Sequence, residues 1–130
     1  LQQRLPQGSE PVLPTEAQWE YACRAGTTTP FNLGANISTD QVNYYRNRPY
    51  AGDAKGEYRG KAVSVKSLPP NRWGLFEMHG NVWEWCADGM RDYGQVEAGE
   101  TVVDPTGSTE STSRAVRGGS WIDGARYARC

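Results

Sequence analysis

The sequence predicts a small α+β domain in which regular structure is scarce. Three observations carry that reading: one well-capped helix near the start, period-two alternation around residues 79–88, and a long intervening run marked by glycine and proline rather than by periodicity. At 130 residues the chain can bury one hydrophobic core and is too short for two, so residues 1–130 read as one domain. Fifteen Gly, eight Pro and five Trp stand against two Phe and two Met, which describes a turn-rich chain built around indole rings.

The clearest helix lies in "LPTEAQWEYACRAG". Thr15 is a good N-cap, Gln18 completes a capping box three residues on, and Gly26 can supply the left-handed residue that closes the last turn. Helical spacing places Trp19, Ala22 and Cys23 on one face, so Cys23 points inward as a buried thiol. From Thr27 to Arg72, Gly34, Asn36, Pro49, Gly52, Gly56, Gly60, Pro69 and Pro70 mark repeated turns. A looped layer this long inside a small domain needs fastening, by bound cations or packed aromatics. Just before "PPN", "AVSVKSL" suits one short strand. "HGNVWEWCAD" alternates, with Val82, Glu84 and Cys86 on one side and Trp83, Trp85 and Ala87 on the other, a strand with one aromatic face. Asp92 to Ser113 is polar and rich in Gly, Thr and Ser, a surface loop. "RAVRGGSW" reads as a last strand whose two glycines let another backbone approach.

Composition excludes several function classes. Lys and Arg total 14 against 15 Asp and Glu, and a net charge of −1 gives no electrostatic capture of nucleic acid or of an anionic membrane. No apolar run approaches the roughly 20 residues of a membrane-spanning helix, and Leu1 to Glu10 lacks the regions of a signal peptide. A soluble domain is expected, its compartment (cytoplasmic, periplasmic or secreted) left open. Cys23, Cys86 and Cys130 are too few for a disulfide scaffold and lack CxxC spacing, which leaves one pair plus a single thiol. Cys86, beside Trp85, reads as a small core residue. The sole histidine, His79, sits several residues from it without an acid partner, a weak basis for acyl transfer. Arg114, Arg117, Arg126 and Arg129 can grip a carboxylate or phosphate, though internal pairing with Asp and Glu is the expectation. "NIS" at Asn36 fits a glycosylation acceptor in a eukaryotic secretory route.

Taken in order, "LPTEAQWEYACRAG", "PPNRWGLFEMHGNVWEWCAD" and "RAVRGGSW" resemble the formylglycine-generating enzyme family, also called the sulfatase-modifying factor domain, over about Leu13 to Cys130. The resemblance implies a variant of the C-type lectin fold, a mixed α+β architecture with little regular structure. It also implies a fragment: family members carry a further helix before "LPTE", of which "LQQRL" is a remnant, and continue past the position of Cys130 into another strand. Those pieces are either missing or supplied by another chain.

The family's oxidase uses two cysteines after the Gly-Gly-Ser-aromatic motif to bind copper, activate oxygen and convert a substrate cysteine into formylglycine. Soft thiolates suit Cu(I). The corresponding positions here are Asp123 and Ala125, so the resemblance implies no catalytic cysteine pair and no copper. Asp123 ahead of Gly124 reads as a turn former.

The resemblance also pairs the positions of Cys23 and Cys130. A disulfide there would close a loop of over 100 residues, stabilising by roughly 4 to 5 kcal/mol by chain entropy; in a reducing cytosol the alternative is two buried thiols in contact. It places calcium on the side chain of Glu77, the carbonyls of Gly80 and Val82 and the carboxylate of Glu84, all hard oxygen donors. The alternative has Glu84 bonded to nearby backbone and Glu77 solvated. A second family calcium site maps onto the side chain of Asn43, the carbonyl of Tyr44 and oxygens near Glu57 and Tyr58, with different loop spacing.

The resulting expectation is a non-catalytic, calcium-stabilised lectin-like module that binds a protein or small ligand, or serves as an accessory domain, as do family members in bacterial kinase and secretion systems. The alternatives are a formylglycine-generating oxidase and the partner domain of a non-heme iron sulfoxide synthase, whose iron site one histidine cannot build.

Overall fold

In the computed structural model, the described residues are 8–90, 93, 100–108 and 110–130. The helix α1 spans Glu16–Arg24, and its predicted capping box forms: the Thr15 hydroxyl accepts from the Gln18 N–H at 3.2 Å, and the Gln18 side chain accepts from the Thr15 N–H at 3.0 Å. The left-handed closing residue is Ala25 (φ 45°), one position before the predicted Gly26, which follows at φ 86°. A tertiary partner sets that end. Asn71, far along the chain, donates its side-chain amide to the Ala22 carbonyl at 2.7 Å and the Cys23 carbonyl at 3.3 Å, satisfying groups the helix itself leaves open. At the other end the buried Asp88 accepts from the Glu16 N–H at 2.7 Å and the Gly107 N–H at 2.7 Å, placing a carboxylate at the positive end of the helix dipole.

The core has two parts. Trp19 and Cys23 of α1 pack with Met78, Cys86 and Ala115, while Phe31, Ile37, Val42, Tyr44, Ala125 and Ala128 form the second cluster. Ala22, predicted on the same face as Trp19 and Cys23, is only half-buried. His79 links the clusters, its ring edge-on to Phe31 at 5.5 Å and 3.8 Å from the Cys23 sulfur.

Strand β1 (Glu84–Trp85) pairs antiparallel with β2 (Val116–Arg117), Glu84 opposite Arg117 and Trp85 opposite Val116. Bonds from the Cys86 N–H to the Ala115 carbonyl and from the Ala115 N–H to the Asp88 carbonyl, both 2.9 Å, prolong the ladder. The alternation holds from Trp83 onward: Cys86 is buried and Trp83 and Trp85 are exposed. Val82 departs from it and is exposed, because Asn81 at φ 65° turns the chain just before β1 and resets the register. The two glycines after β2 do admit a backbone: a Cβ on Gly119 would lie 2.9 Å from the Tyr127 carbonyl oxygen.

The strand predicted in "AVSVKSL" does not form. Lys66 takes φ 69°, the Ser67 N–H closes a turn on the Ser64 carbonyl at 3.1 Å, and side chains take the place of a partner strand. Asn81 accepts from the Val63 N–H at 2.8 Å and donates to the Val63 carbonyl at 3.2 Å, and Glu77 accepts from the Lys66 N–H at 3.1 Å. The looped layer from Thr27 is thus fastened largely by buried polar side chains. The "LQQRL" start and much of the stretch from Asp92 to Ser113 lie outside the described residues; within that stretch, residues 100–108 hold no helix or strand.

Replacing Asn81 with alanine orphans both backbone groups of Val63 and leaves a Cβ residue without local compensation at positive φ. The expected loss is about 3 kcal/mol, read as a lowered midpoint in urea denaturation.

Candidate functional site

The segment after the double glycine is built as a turn. Asp123 accepts from the Ser120 hydroxyl, its N–H bonds the Ser120 carbonyl at 3.1 Å, and its carbonyl accepts from the Tyr45 N–H at 2.8 Å. Ala125 is fully buried in the aromatic cluster and donates its N–H to the Arg48 carbonyl at 2.9 Å. The turn reading of Asp123 holds, and neither side chain is a soft ligand.

The thiols gather elsewhere. Cys23 on α1 and Cys130 lie 3.3 Å apart, sulfur to sulfur, unbonded, with His79 beside them. The imidazole is held on both sides: Nδ1 pairs with the Ala128 carbonyl at 2.6 Å and Nε2 accepts from the Asn32 N–H at 3.1 Å, which makes Nδ1 the protonated nitrogen. His79 therefore neighbours Cys23 rather than Cys86. The Cys23 thiol donates to the Cys130 sulfur, so Cys130 is the partner that ionises, its pKa pulled down to about 5 chiefly by that bond, while the same bond and burial push Cys23 up. Cys86 is fully buried, as expected, and burial with the Asp88 and Glu16 charges pushes it up to about 11.

Glu77, Gly80, Val82 and Glu84 are placed by the turn at Asn81. Glu84, partly buried, accepts from the Trp19 indole N–H at 2.6 Å. Burial raises its carboxyl above the ordinary value, the Trp19 bond opposes this, and the charge of Glu77 adds to it. Glu77 accepts from the Lys66 N–H at 3.1 Å and the Leu68 N–H at 3.4 Å. Among the described residues no donor reaches the carbonyls of Gly80 or Val82. Glu77 and Glu84 lie in each other's field, and their carboxylates and the Gly80 and Val82 carbonyls are oxygen donors of the kind a hard cation takes. At the second mapped position, Asn43 spends its amide nitrogen on the Lys61 carbonyl at 2.9 Å and on Asn81 Oδ1 at 3.2 Å, Tyr44 sits in the core, and Glu57 is exposed beside Arg59 at 3.8 Å.

The terminal arginines correct an expectation. Only Arg117 pairs with acid, with Glu20 at 3.1 Å and Glu16 at 3.7 Å, lying over the Trp19 ring at 5.2 Å. Arg114 bonds the Ser111 carbonyl, Arg129 bonds the Arg126 carbonyl, and Arg126 lies over Tyr127; none of these meets a carboxylate among the described residues. Glu16 and Glu20 lie one helical turn apart on the side of α1 that faces β2, so both reach Arg117, and Glu20 also accepts from Arg24 at 2.8 Å. The sequence did not single out Arg48, Asn71, Asn81 or Asp88. Short polar residues in loops signal turns, not the distant groups they clamp.

A capped helix, a two-residue sheet and loops fastened by buried amides define a domain of the sulfatase-modifying-factor fold. A solved structure with that architecture is Treponema denticola variable protein 1, at TM-score 0.66 and 34% identity over 91% of this chain and 39% of that one. The family model "Sulfatase-modifying factor enzyme 1-like domain" matches residues 8–130, and the chain belongs to the formylglycine-generating enzyme, or sulfatase-modifying factor, family. It is 36% identical to the formylglycine-generating enzyme of Thermomonospora curvata, over 85% of this chain and 38% of that protein. It is 33% identical to the inactive C-alpha-formylglycine-generating enzyme 2 of Mus musculus, over 87% and 32%, and 33% identical to the serine/threonine-protein kinase pkn1 of Chlamydia pneumoniae, over 91% and 17%. The chain thus spans well under half the length of these relatives.

The bond from the Cys23 thiol favours the thiolate form of Cys130, and only a thiolate is alkylated. Iodoacetamide at pH 7 should therefore label Cys130 ahead of the fully buried Cys23 and Cys86, with the Cys130 reaction persisting at a pH where an ordinary thiol has stopped reacting, as read by peptide mass spectrometry.

Proposed function

We propose that this chain is a non-catalytic member of its family: a calcium-stabilised, lectin-like module that binds a protein or small ligand or serves as an accessory domain of a larger assembly. One observation carries the reading. At the two positions where the family's oxidase needs thiolates, Asp123 is tied into a turn by Ser120 and Ala125 is packed in the core. Converting a cysteine to formylglycine with oxygen requires ligands that hold and activate copper, and an alanine methyl and a hydrogen-bonded carboxylate supply neither. Similarity both to an inactive C-alpha-formylglycine-generating enzyme 2 and to a serine/threonine-protein kinase supports a binding or accessory role. The Cys23 and Cys130 thiols do not substitute for the missing pair, because Cys23, on the inner face of α1, is fully buried. In an oxidising compartment they form a disulfide, which at 3.3 Å needs only a small approach of the sulfurs.

Calcium takes a structural part in this reading. Glu77 and Glu84 supply carboxylate oxygens, and Gly80 and Val82 supply carbonyls; a bound cation neutralises the repulsion between the acids and stiffens the turn that starts β1.

Incubating the chain with a Cys-x-Pro-x-Arg peptide, copper and oxygen should leave the peptide mass unchanged, and formylglycine in the product would overturn the non-catalytic reading. Calcium at a hundredfold its Kd adds about 2.7 kcal/mol to folding. The melting temperature should therefore rise by several degrees between chelator and calcium and stop responding in Glu84→Gln, whereas identical melting in both would remove the cation from the reading.

A further inference from the structure

We infer that the cleft between the 3-10 turns Tyr50–Gly52 and Ala125–Ala128 binds an acidic peptide segment, gripping its carboxylates with Arg48 and Arg126. The inference rests on the reading of this chain as a binding module and names the ligand class that the module takes. The cleft has a volume of about 390 Å³ and is walled by Arg48, Tyr50, Gly124, Arg126 and Tyr127. That lies within the roughly 300 to 1,000 Å³ typical of ligand sites.

The walls are set in advance. The Tyr45 N–H bonds the Asp123 carbonyl at 2.8 Å and the Ala125 N–H bonds the Arg48 carbonyl at 2.9 Å, so two backbone bonds clasp one side of the cleft to the other. Gly124 makes the clasp possible, since a Cβ there would lie 2.8 Å from the Arg48 Cβ. The stem of Arg48 therefore packs against Gly124, and Arg48 lines the cleft. Tyr50 is anchored edge-on to the core residue Phe31 at 5.0 Å, and Tyr127 stands between Trp83 at 6.4 Å and the Arg126 guanidinium at 5.2 Å.

Neither the Arg48 nor the Arg126 guanidinium meets a carboxylate among the described residues, and the acids nearest in the chain are occupied. Asp123 holds the Ser120 hydroxyl and Asp53 holds the Ala54 N–H at 2.8 Å. In a chain whose acids outnumber its bases, two arginines that meet no carboxylate among the described residues flank one aromatic-walled cleft. A guanidinium presents a planar fork that matches a carboxylate in two parallel hydrogen bonds, and the tyrosine rings offer flat apolar surface to the peptide between its acidic side chains.

Fluorescein-labelled hexaglutamate titrated against the chain, read by anisotropy, tests this. Saturable binding is expected, weakening by about tenfold in Arg48→Ala and again in Arg126→Ala, and weakening as salt rises. Arg114→Ala, which removes an exposed arginine outside the cleft, should leave it unchanged, and labelled hexalysine should not bind. Arg126 is exposed, so its variant keeps the fold; a melting temperature matching the parent's checks this. Absence of saturable binding, binding indifferent to both cleft variants, or an equal loss in Arg114→Ala would overturn the inference. The formylglycine assay reports on the underlying reading separately: an unchanged peptide with no hexaglutamate binding removes this ligand alone, whereas formylglycine removes the non-catalytic module.

Discussion

Asn81 is the residue on which the loops depend. Its Oδ1 accepts from the Val63 N–H and from the Asn43 amide, its Nδ2 donates to the Val63 carbonyl, its N–H bonds the Asn43 carbonyl, and its own carbonyl accepts from the Trp121 N–H. One buried side chain and its peptide groups thereby join three segments that share no strand pairing with one another. A chain with two-residue strands must place its buried backbone groups somewhere, and an amide that both donates and accepts serves where a ladder is absent. Asn71 at the end of α1 and Asp88 at its start do the same work.

This mode of construction links the fold to the candidate sites. The turn at Asn81 lies between Gly80 and Val82, with Glu77 and Glu84 on either side in the chain, and the bond from the Trp121 N–H to the Asn81 carbonyl ties it to the segment of Asp123 and Ala125. A cation held by the acids would stiffen the same turn from the outside that Asn81 holds from within. The cleft of Arg48 and Arg126 adjoins the Asp123 turn, where the Tyr45 N–H bonds the Asp123 carbonyl and the Ala125 N–H bonds the Arg48 carbonyl.

The thiol pair shows how context divides one residue type three ways. Cys86 sits among acids in the core and holds its proton, Cys23 is buried and donates, and Cys130 receives that bond and ionises. The chemistry is one of position, since all three begin with the same intrinsic acidity.

The sequence by itself determined what is local. Thr15 and Gln18 form the capping box because both partners lie within one turn, the alternation of Trp83 to Cys86 marks a strand because its period is two, and Asp123 before Gly124 makes a turn from its own side chain. The family motifs, spaced in order, carried the fold and the contact of Cys23 with Cys130. What only tertiary structure decided is everything that depends on a distant partner. "AVSVKSL" has the residues of a strand but finds the side chains of Asn81 and Glu77 in place of a neighbouring strand, and helix α1 ends where Asn71 reaches it. The arginines likewise divide by what the fold brings opposite them: Arg117 meets Glu16 and Glu20, whereas Arg48 and Arg126 meet no carboxylate among the described residues. Hydrogen bonds and ion pairs over such separations are set by closure of the whole chain, which no local window of residues contains.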